Sequence, residues 1–363
     1  MVFPVKSRYF ATMNVNQTFT DEAIRLLQQL ISIPSVSRVE TRAADALEHT
    51  ICDYGLEPQR IGNNILIDSG QNDDQRPTLL LNAHIDTVKP VSSWTRDPFT
   101  PVIEDGRLYG LGSNDCGGGL VSLLQAYRYL SVHACPYHLV FLASAEEEVS
   151  GADGFRKALP YLPKIDVAIV GEPTGMQPAI AEKGLMVLDI TAHGQSGHAA
   201  RQEGVNAIYE ALDDLQWLRS YRFQRVSEFL GATQMNVTVI HAGTQHNVVP
   251  DRCEMTVDVR TNELYTNEEV LAFIQSQVRS EVKARSTRLQ SSHINPDHPL
   301  VQRCIAMGMT PFGSPTLSDQ ALMPFPSMKL GPGQSSRSHS ADEYILISEV
   351  EDAIKKYVEL LIG

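Results

Sequence analysis

Thr78-Leu79-Leu80-Leu81-Asn82-Ala83-His84-Ile85-Asp86 is a short, almost unbroken apolar run that closes on a histidine and an aspartate. A run of this length without alternation predicts a strand buried on both faces, over Thr78 to Ile85, as in a parallel sheet. Two similar runs follow, Leu139 to Ala145 and Ile165 to Val170. Between the first two, the segment after Gly117-Gly118-Gly119 places Leu120, Leu123, Leu124, Tyr127 and Leu130 along one side of a helix. Alternation of this kind predicts an α/β fold with a mostly parallel central sheet. Upstream, Thr20 reads as the N-cap of a helix carrying Ile24, Leu27, Leu30 and Ile31. The first sixteen residues show no period and read as a loose leader.

The texture changes near Gly184. Met186 to Ala192 reads as a strand, and Val205, Ile208, Leu212, Leu215 and Leu218 as an amphipathic helix. Met235, Val237 and Val239 alternate, as do Met255, Val257 and Val259; Asn267, Glu268 and Glu269 then open a second helix. With a last strand near Arg288, the order β-α-β-β-α-β predicts a ferredoxin-like α+β unit. The tail from about Pro299 returns to helix, strand and a closing helix over Glu349 to Leu361. The expected division is a catalytic domain over 17–180 and 292–363, interrupted by a smaller domain over 181–291.

A chain of 363 residues exceeds what one core usually organises, which also favours two domains. Its 42% hydrophobic and 20% charged residues are those of a globular protein, and its formal charge of −13 repels nucleic-acid phosphates and anionic lipid surfaces. Neither a nucleic-acid nor a membrane partner is expected. No stretch approaches the roughly 18 apolar residues of a membrane span, and no apolar segment with a small-residue cleavage site stands near the start. The expectation is a cytoplasmic protein. Five scattered cysteines without a CxxC pair suit neither a disulfide framework nor a thiolate zinc site, so a metal here would be held by oxygen and nitrogen.

Carboxyl ends of strands are where open α/β sheets bind ligands, and the chemistry-bearing residues cluster there. His84 and Asp86 project to the same side of an extended segment. Asp115 precedes the glycines that open the helix. Glu146-Glu147-Glu148 follows a buried strand directly, and crowded carboxylates there repel one another unless a cation offsets them. Glu172 ends the next strand, and His339 lies in a loop rich in glycine and serine. Two histidines with three or four carboxylates suit a pair of divalent ions, zinc foremost, with one carboxylate bridging. Such ions acidify a water, roughly from pKa 15.7 toward 7, for a further carboxylate to deprotonate. One glutamate of the strand-end pair would be a ligand and the other a general base.

The motifs Leu81-Asn82-Ala83-His84-Ile85-Asp86, Gly112-Ser113-Asn114-Asp115, Ser144-Ala145-Glu146-Glu147, Gly171-Glu172-Pro173-Thr174, Gly194-Gln195-Ser196-Gly197-His198-Ala199 and Ser338-His339-Ser340-Ala341-Asp342-Glu343 resemble those of the co-catalytic zinc aminoacylase and carboxypeptidase superfamily, peptidase family M20. The resemblance implies a zinc-peptidase-like catalytic domain with an inserted lid or dimerisation domain. It implies His84 and Glu172 as ligands of one zinc, Glu147 and His339 as ligands of the other, and Asp115 as the bridge, with cobalt able to substitute. Asp86 would orient His84, and Glu146 would be the base. His198 would reach across a homodimer to polarise the scissile carbonyl. Asn247, Arg260, Gly331 and Gly333 would hold the substrate, with Arg201 a further contact.

The implied reaction is hydrolysis of an N-acyl amino acid. N-acetyl-L-ornithine or N-succinyl-L-ornithine, as in arginine biosynthesis, stands ahead of N-succinyl-diaminopimelate and N-acetyl-lysine. Many members carry a lysine shortly after the bridging aspartate, where Cys116 and Gly117 stand here; the backbone turn is expected to set Asp115 without it, and Cys116 to be a packed thiol. A nucleotide-binding reading of Gly110 to Gly119 fails for want of a phosphate-loop pattern, and a serine hydrolase for want of G-x-S-x-G. A catalytically idle, metal-binding relative is opposed by the full ligand set.

Overall fold

The computed structural model describes residues 17–70, 76–201 and 203–362; the expected leader lies outside the described residues. A nine-stranded sheet forms the larger part. At its centre Thr78–His84 lies parallel between His138–Ser144 and Val167–Val170, and Ser327–Lys329 runs parallel on the far side of Val167–Val170. Antiparallel neighbours flank this block, Asn64–Asp68 on one side and Ala179–Glu182 on the other. The register sets His84 opposite Ser144, and Val170 opposite both Asn82 and Lys329. Four strands therefore end at nearly one level, and the chain leaves each of them at the same edge of the sheet.

Side chains alternate along each strand, and both faces are covered. Leu79, Leu81 and Phe141 bury in one core with Leu120, Leu124 and Tyr357, whereas Leu80, Val140 and Leu142 bury in another with Phe155 and Ala168. Two covered faces are why the run is apolar without a period of two. Each buried leucine contributes roughly 1.5–3 kcal/mol, so Leu81→Ala should cost about 2–5 kcal/mol. Helix Gly118–Ser131 packs on the closing helix Ile347–Ile362. A Cβ at Gly119 would lie 1.8 Å from the Gly171 carbonyl oxygen, so glycine is what lets this helix begin against the end of a central strand.

The first helix runs over Gln17–Ile31, which puts Thr20 inside it, buried, rather than at its cap. The hydrophobic period locates the helix but not its start, because Gln17 and Thr18 are polar and Phe19 alone does not make a period.

Strands Met186–His193, Gln234–Ala242, Arg252–Arg260 and Glu281–Ala284 form a separate four-stranded antiparallel sheet. The order across it is second, third, first, fourth, and helices Ala207–Ser220 and Asn267–Gln277 share a core with it, which is the ferredoxin-like arrangement. Thr266 caps the second helix by a reciprocal box with Glu269, where the sequence suggests that Asn267 opens it. The last strand stands at 281–284; Arg288, expected near it, instead reaches across to the carbonyl of Ser150. The expected apolar face of the first helix is also corrected. Ala207, Ala211, Asp214 and Leu218 face the core, and Ile208, Tyr209 and Leu212 stand exposed. No helix among the described residues is long and apolar enough to cross a membrane.

Candidate metal centre

His84 is the last residue of its strand and is buried. Its Nε2 lies 3.3 Å from Asp115 Oδ1 and 3.5 Å from Glu172 Oε1. On the other side of Asp115, Oδ2 lies 3.5 Å from His339 Nε2, and that nitrogen lies 2.9 Å from Glu148 Oε2. Asp115 thus stands between two histidines, each with its own glutamate. The ligand atoms of His84, Asp115 and Glu148 fall within 4.8 Å of one another, as do those of His84, Cys116 and Glu172.

The acidic run is placed one residue later than expected. Glu146 has a left-handed backbone (φ 53°), and its carboxylate turns back to accept the Asp153 N–H at 3.2 Å. It does not serve the cluster. Glu147 and Glu148 do face it, with Glu147 Oε2 3.9 Å from His84 Nε2 and Glu148 against His339. The turn that aims them is held by Asp86, whose buried carboxylate accepts the N–H groups of Glu147 and Glu148 at 3.0 and 3.2 Å and the Ser37 hydroxyl at 2.6 Å. His84 Nδ1 lies 2.9 Å from the Asp86 carbonyl oxygen and 3.6 Å from its carboxylate. One aspartate therefore organises both the histidine and the glutamates.

The electrostatics of the cluster favour a cation. Burial, with Asp115 beside it, pushes the Glu172 carboxyl up to about 8, and burial with Glu172 nearby raises Glu147 well above the usual range. The hydrogen bond that the Glu148 carboxylate accepts from His339 carries that histidine up to about 9. Glu172 Oε1 is buried with no hydrogen-bond partner among the described residues. Carboxylates crowded this way, one with an orphaned oxygen, are what divalent cations stabilise, and a nitrogen-and-oxygen donor set suits zinc and its neighbours. The residues fit a pair of such ions. A cleft of about 310 Å³ opens over Asp115, Glu147, Glu148, Glu172 and His339, with Thr174 on its wall.

The sequence profile described as "Peptidase family M20/M25/M40" matches residues 80–362. The chain belongs to this family. It is 32% identical over 359 residues to the acetylornithine deacetylase of Pectobacterium atrosepticum, covering 89% of this chain and 92% of that one. It is 30% identical to that of Klebsiella pneumoniae at the same coverages. Among solved structures it resembles aminopeptidase PepT from Bacillus cereus, with a TM-score of 0.75, 18% identity and coverages of 94% and 98%. It also resembles the Bacillus subtilis YXEP protein, described as a dinuclear metal binding peptidase from the M20 family, with a TM-score of 0.70, 17% identity and coverages of 95% and 98%. The two structures share its fold. Family membership makes the chain a metal-dependent hydrolase of amide bonds.

In this M20 chain, position 117 has no room for a side chain: a Cβ on Gly117 would lie 2.4 Å from the Gly112 carbonyl oxygen. Cys116 is packed at 1% exposure, its sulfur accepts the His84 N–H at 3.2 Å, and burial pushes its thiol up to about 12, away from a metal-binding thiolate. His198, Arg201, Asn247 and Arg260 stand on the inserted unit, none of them among the cluster's ligand groups. His198 is exposed, its Nδ1 accepting the Ala200 N–H, and Arg201 and Asn247 are exposed too. Arg260 holds Asp258 of its own strand through two bonds of 2.8 and 3.1 Å, which occupies the fork expected to grip a substrate carboxylate. The Gly331 N–H donates to Thr174 Oγ1 and its carbonyl accepts from Met176, while the Gly333 carbonyl accepts from Gly175. These two glycines close the loop onto the segment after Glu172. Glu148 escapes a reading of the sequence, because in a run of three glutamates only the turn decides which side chains face the site.

Proposed function

We propose that this chain removes the acyl group from an N-acyl amino acid, with N-acetyl-L-ornithine as the leading substrate and N-succinyl-L-ornithine next. The carrying observation is the position of Asp115 between His84–Glu172 and His339–Glu148 beneath an open cleft. The relatives named acetylornithine deacetylase, matched over nearly the whole chain, support the choice of substrate. His84 and Glu172 would hold one divalent ion, Glu148 and His339 a second, and Asp115 both; we take zinc as the native ion. Bound there, such ions polarise the amide carbonyl and acidify the attacking water. Glu147 is the base. Its carboxylate faces the cleft with no hydrogen bond among the described residues, so it is free to take the water's proton and pass it to the leaving nitrogen as the C–N bond breaks. Asp86 aims Glu147 through its backbone bonds.

His198 is assigned to the neighbouring subunit's carbonyl site in a homodimer formed through residues 181–291. Supporting this are the exposed Ile208, Tyr209 and Leu212, the free edge of strand Gln234–Ala242, and the exposure of His198 itself. Asn247, Arg260 and Arg201 would meet substrate from the same side, Arg260 by exchanging Asp258 for a carboxylate. Five unpaired cysteines support a reducing, cytoplasmic setting. The test is a hydrolysis panel of N-acetyl-ornithine, N-succinyl-ornithine, N-acetyl-lysine and N-succinyl-diaminopimelate with added zinc or cobalt. N-acetyl-ornithine should be cleaved fastest; a strong preference for either lysine-pathway compound, or no cleavage of any, overturns the assignment.

A further inference from the structure

Glu343 is 2% exposed, four residues beyond His339, and touches neither the cleft nor the cluster's ligand atoms. Its Oε1 accepts the N–H groups of Asn114 and Asp115 at 2.8 and 2.9 Å, and its Oε2 accepts that of Gly112 at 3.1 Å. A carboxylate receiving three backbone N–H groups is a strong, directional clamp. Asn114 closes the same junction from the other side, donating to the Gln334 carbonyl at 3.0 Å and Ser338 Oγ at 3.2 Å and accepting the Gln334 N–H at 3.0 Å. The loop bearing Asp115 and the loop bearing His339 are thereby locked together, although more than 200 residues separate them.

We propose that Glu343 is a positioning residue that sets the orientation of Asp115, so that one carboxylate serves both ion positions. The inference rests on the two-ion reading of the cluster. Fixing the Asp115 N–H fixes the start of its side chain, and only one orientation sends Oδ1 toward His84 and Oδ2 toward His339. Glu343→Gln keeps the shape but turns one acceptor into a donor that opposes a backbone N–H. Removing an outer partner of a ligand typically costs about 10- to 100-fold in metal affinity or activity.

The experiment measures ion stoichiometry, ion affinity against a competing chelator, the visible absorption spectrum of the cobalt-loaded protein, and steady-state kinetics. Glu343→Gln should weaken one of the two ions by about 10- to 100-fold, change the cobalt spectrum, and lower kcat by a similar factor with KM nearly unchanged. Asp342→Asn is the control. Asp342 anchors the same loop to Thr95 and Arg96 without touching Asp115, so its spectrum should stay as in the unaltered protein. If Glu343→Gln is insoluble, the same readouts on Glu343→Asp decide, since the shortened side chain cannot span all three N–H groups. An unchanged spectrum and affinity, with only the melting temperature lowered, overturns the proposal, as does an equal spectral change in Asp342→Asn. An unaltered protein that binds fewer than two ions refutes the two-ion reading itself.

Discussion

The ligand-type side chains around His84 come from five separate segments and are packed against one another, whereas His198, Arg201, Asn247 and Arg260 all belong to one inserted unit and point to solvent or to a neighbour on the same strand. A parallel register that ends four strands at one edge brings His84, the glutamates and the His339 loop together, and the turn before helix Gly118–Ser131 adds Asp115. Nothing within a single chain assembles the second. Carboxylates crowded in a largely buried cluster need cations to offset them, with His339 its exposed member, and an exposed set of polar groups needs a substrate or a second copy to gain a role.

Removing the ions is the strongest way to break that contrast. Prolonged chelation should abolish hydrolysis and added zinc restore it, and Glu148→Ala or His339→Ala should lower the ion content measured by elemental analysis. Full activity in ion-free protein would leave the cluster without a catalytic role. Next in size is the pair of adjacent glutamates. Glu147→Gln should lower kcat by roughly 10²- to 10⁴-fold with both ions retained, while Glu146→Gln should change kcat far less. The reverse ranking would restore Glu146 as the base.

The exposed region is sharpened by His198→Ala, expected to slow turnover about 10²- to 10³-fold with ion content unchanged, as when one oxyanion donor is lost. Mixing inactive His198→Ala with inactive Glu147→Gln should regenerate activity, because one site of each heterodimer then holds both groups. With subunit exchange verified, no recovery means that His198 acts within its own chain or not at all.

The smallest effect concerns pH. Burial and Asp115 raise the Glu172 carboxyl from 4.5 to about 8 in the ion-free fold. Between those values the folded chain keeps a proton that the unfolded chain has released, so rising pH destabilises the fold. The melting temperature of chelated protein should fall from pH 5 to pH 8, and that of zinc-loaded protein should fall less. Equal slopes would indicate that Glu172 does not meet an ion.

Much of the larger sheet and of its metal cluster is legible in the amino-acid sequence. The unbroken runs at Thr78, Leu139 and Ile165 announce buried strands, because a strand covered on both faces must be apolar throughout. The motifs at their ends and in the late loop single out His84, Asp115, Glu172 and His339, which the fold brings together. Local periodicity fails where burial depends on a partner. Ile208 and Leu212 read as core but lie outside, and Val239 and Ile240 are exposed beyond a bulge that breaks the alternation of their strand.

Residue types, strand patterning and motif spacing are properties of the chain, and they pointed to the fold class and to the family. Only the tertiary structure decided which two of three consecutive glutamates serve that cluster. The choice is made by the left-handed turn at Glu146 and by the N–H groups that Asp86 receives from 61 and 62 residues away. The link through Glu343 from the His339 loop to the Asp115 loop is of the same kind. A side chain's direction is set by backbone dihedrals and by long-range hydrogen bonds, and neither leaves a mark in local sequence.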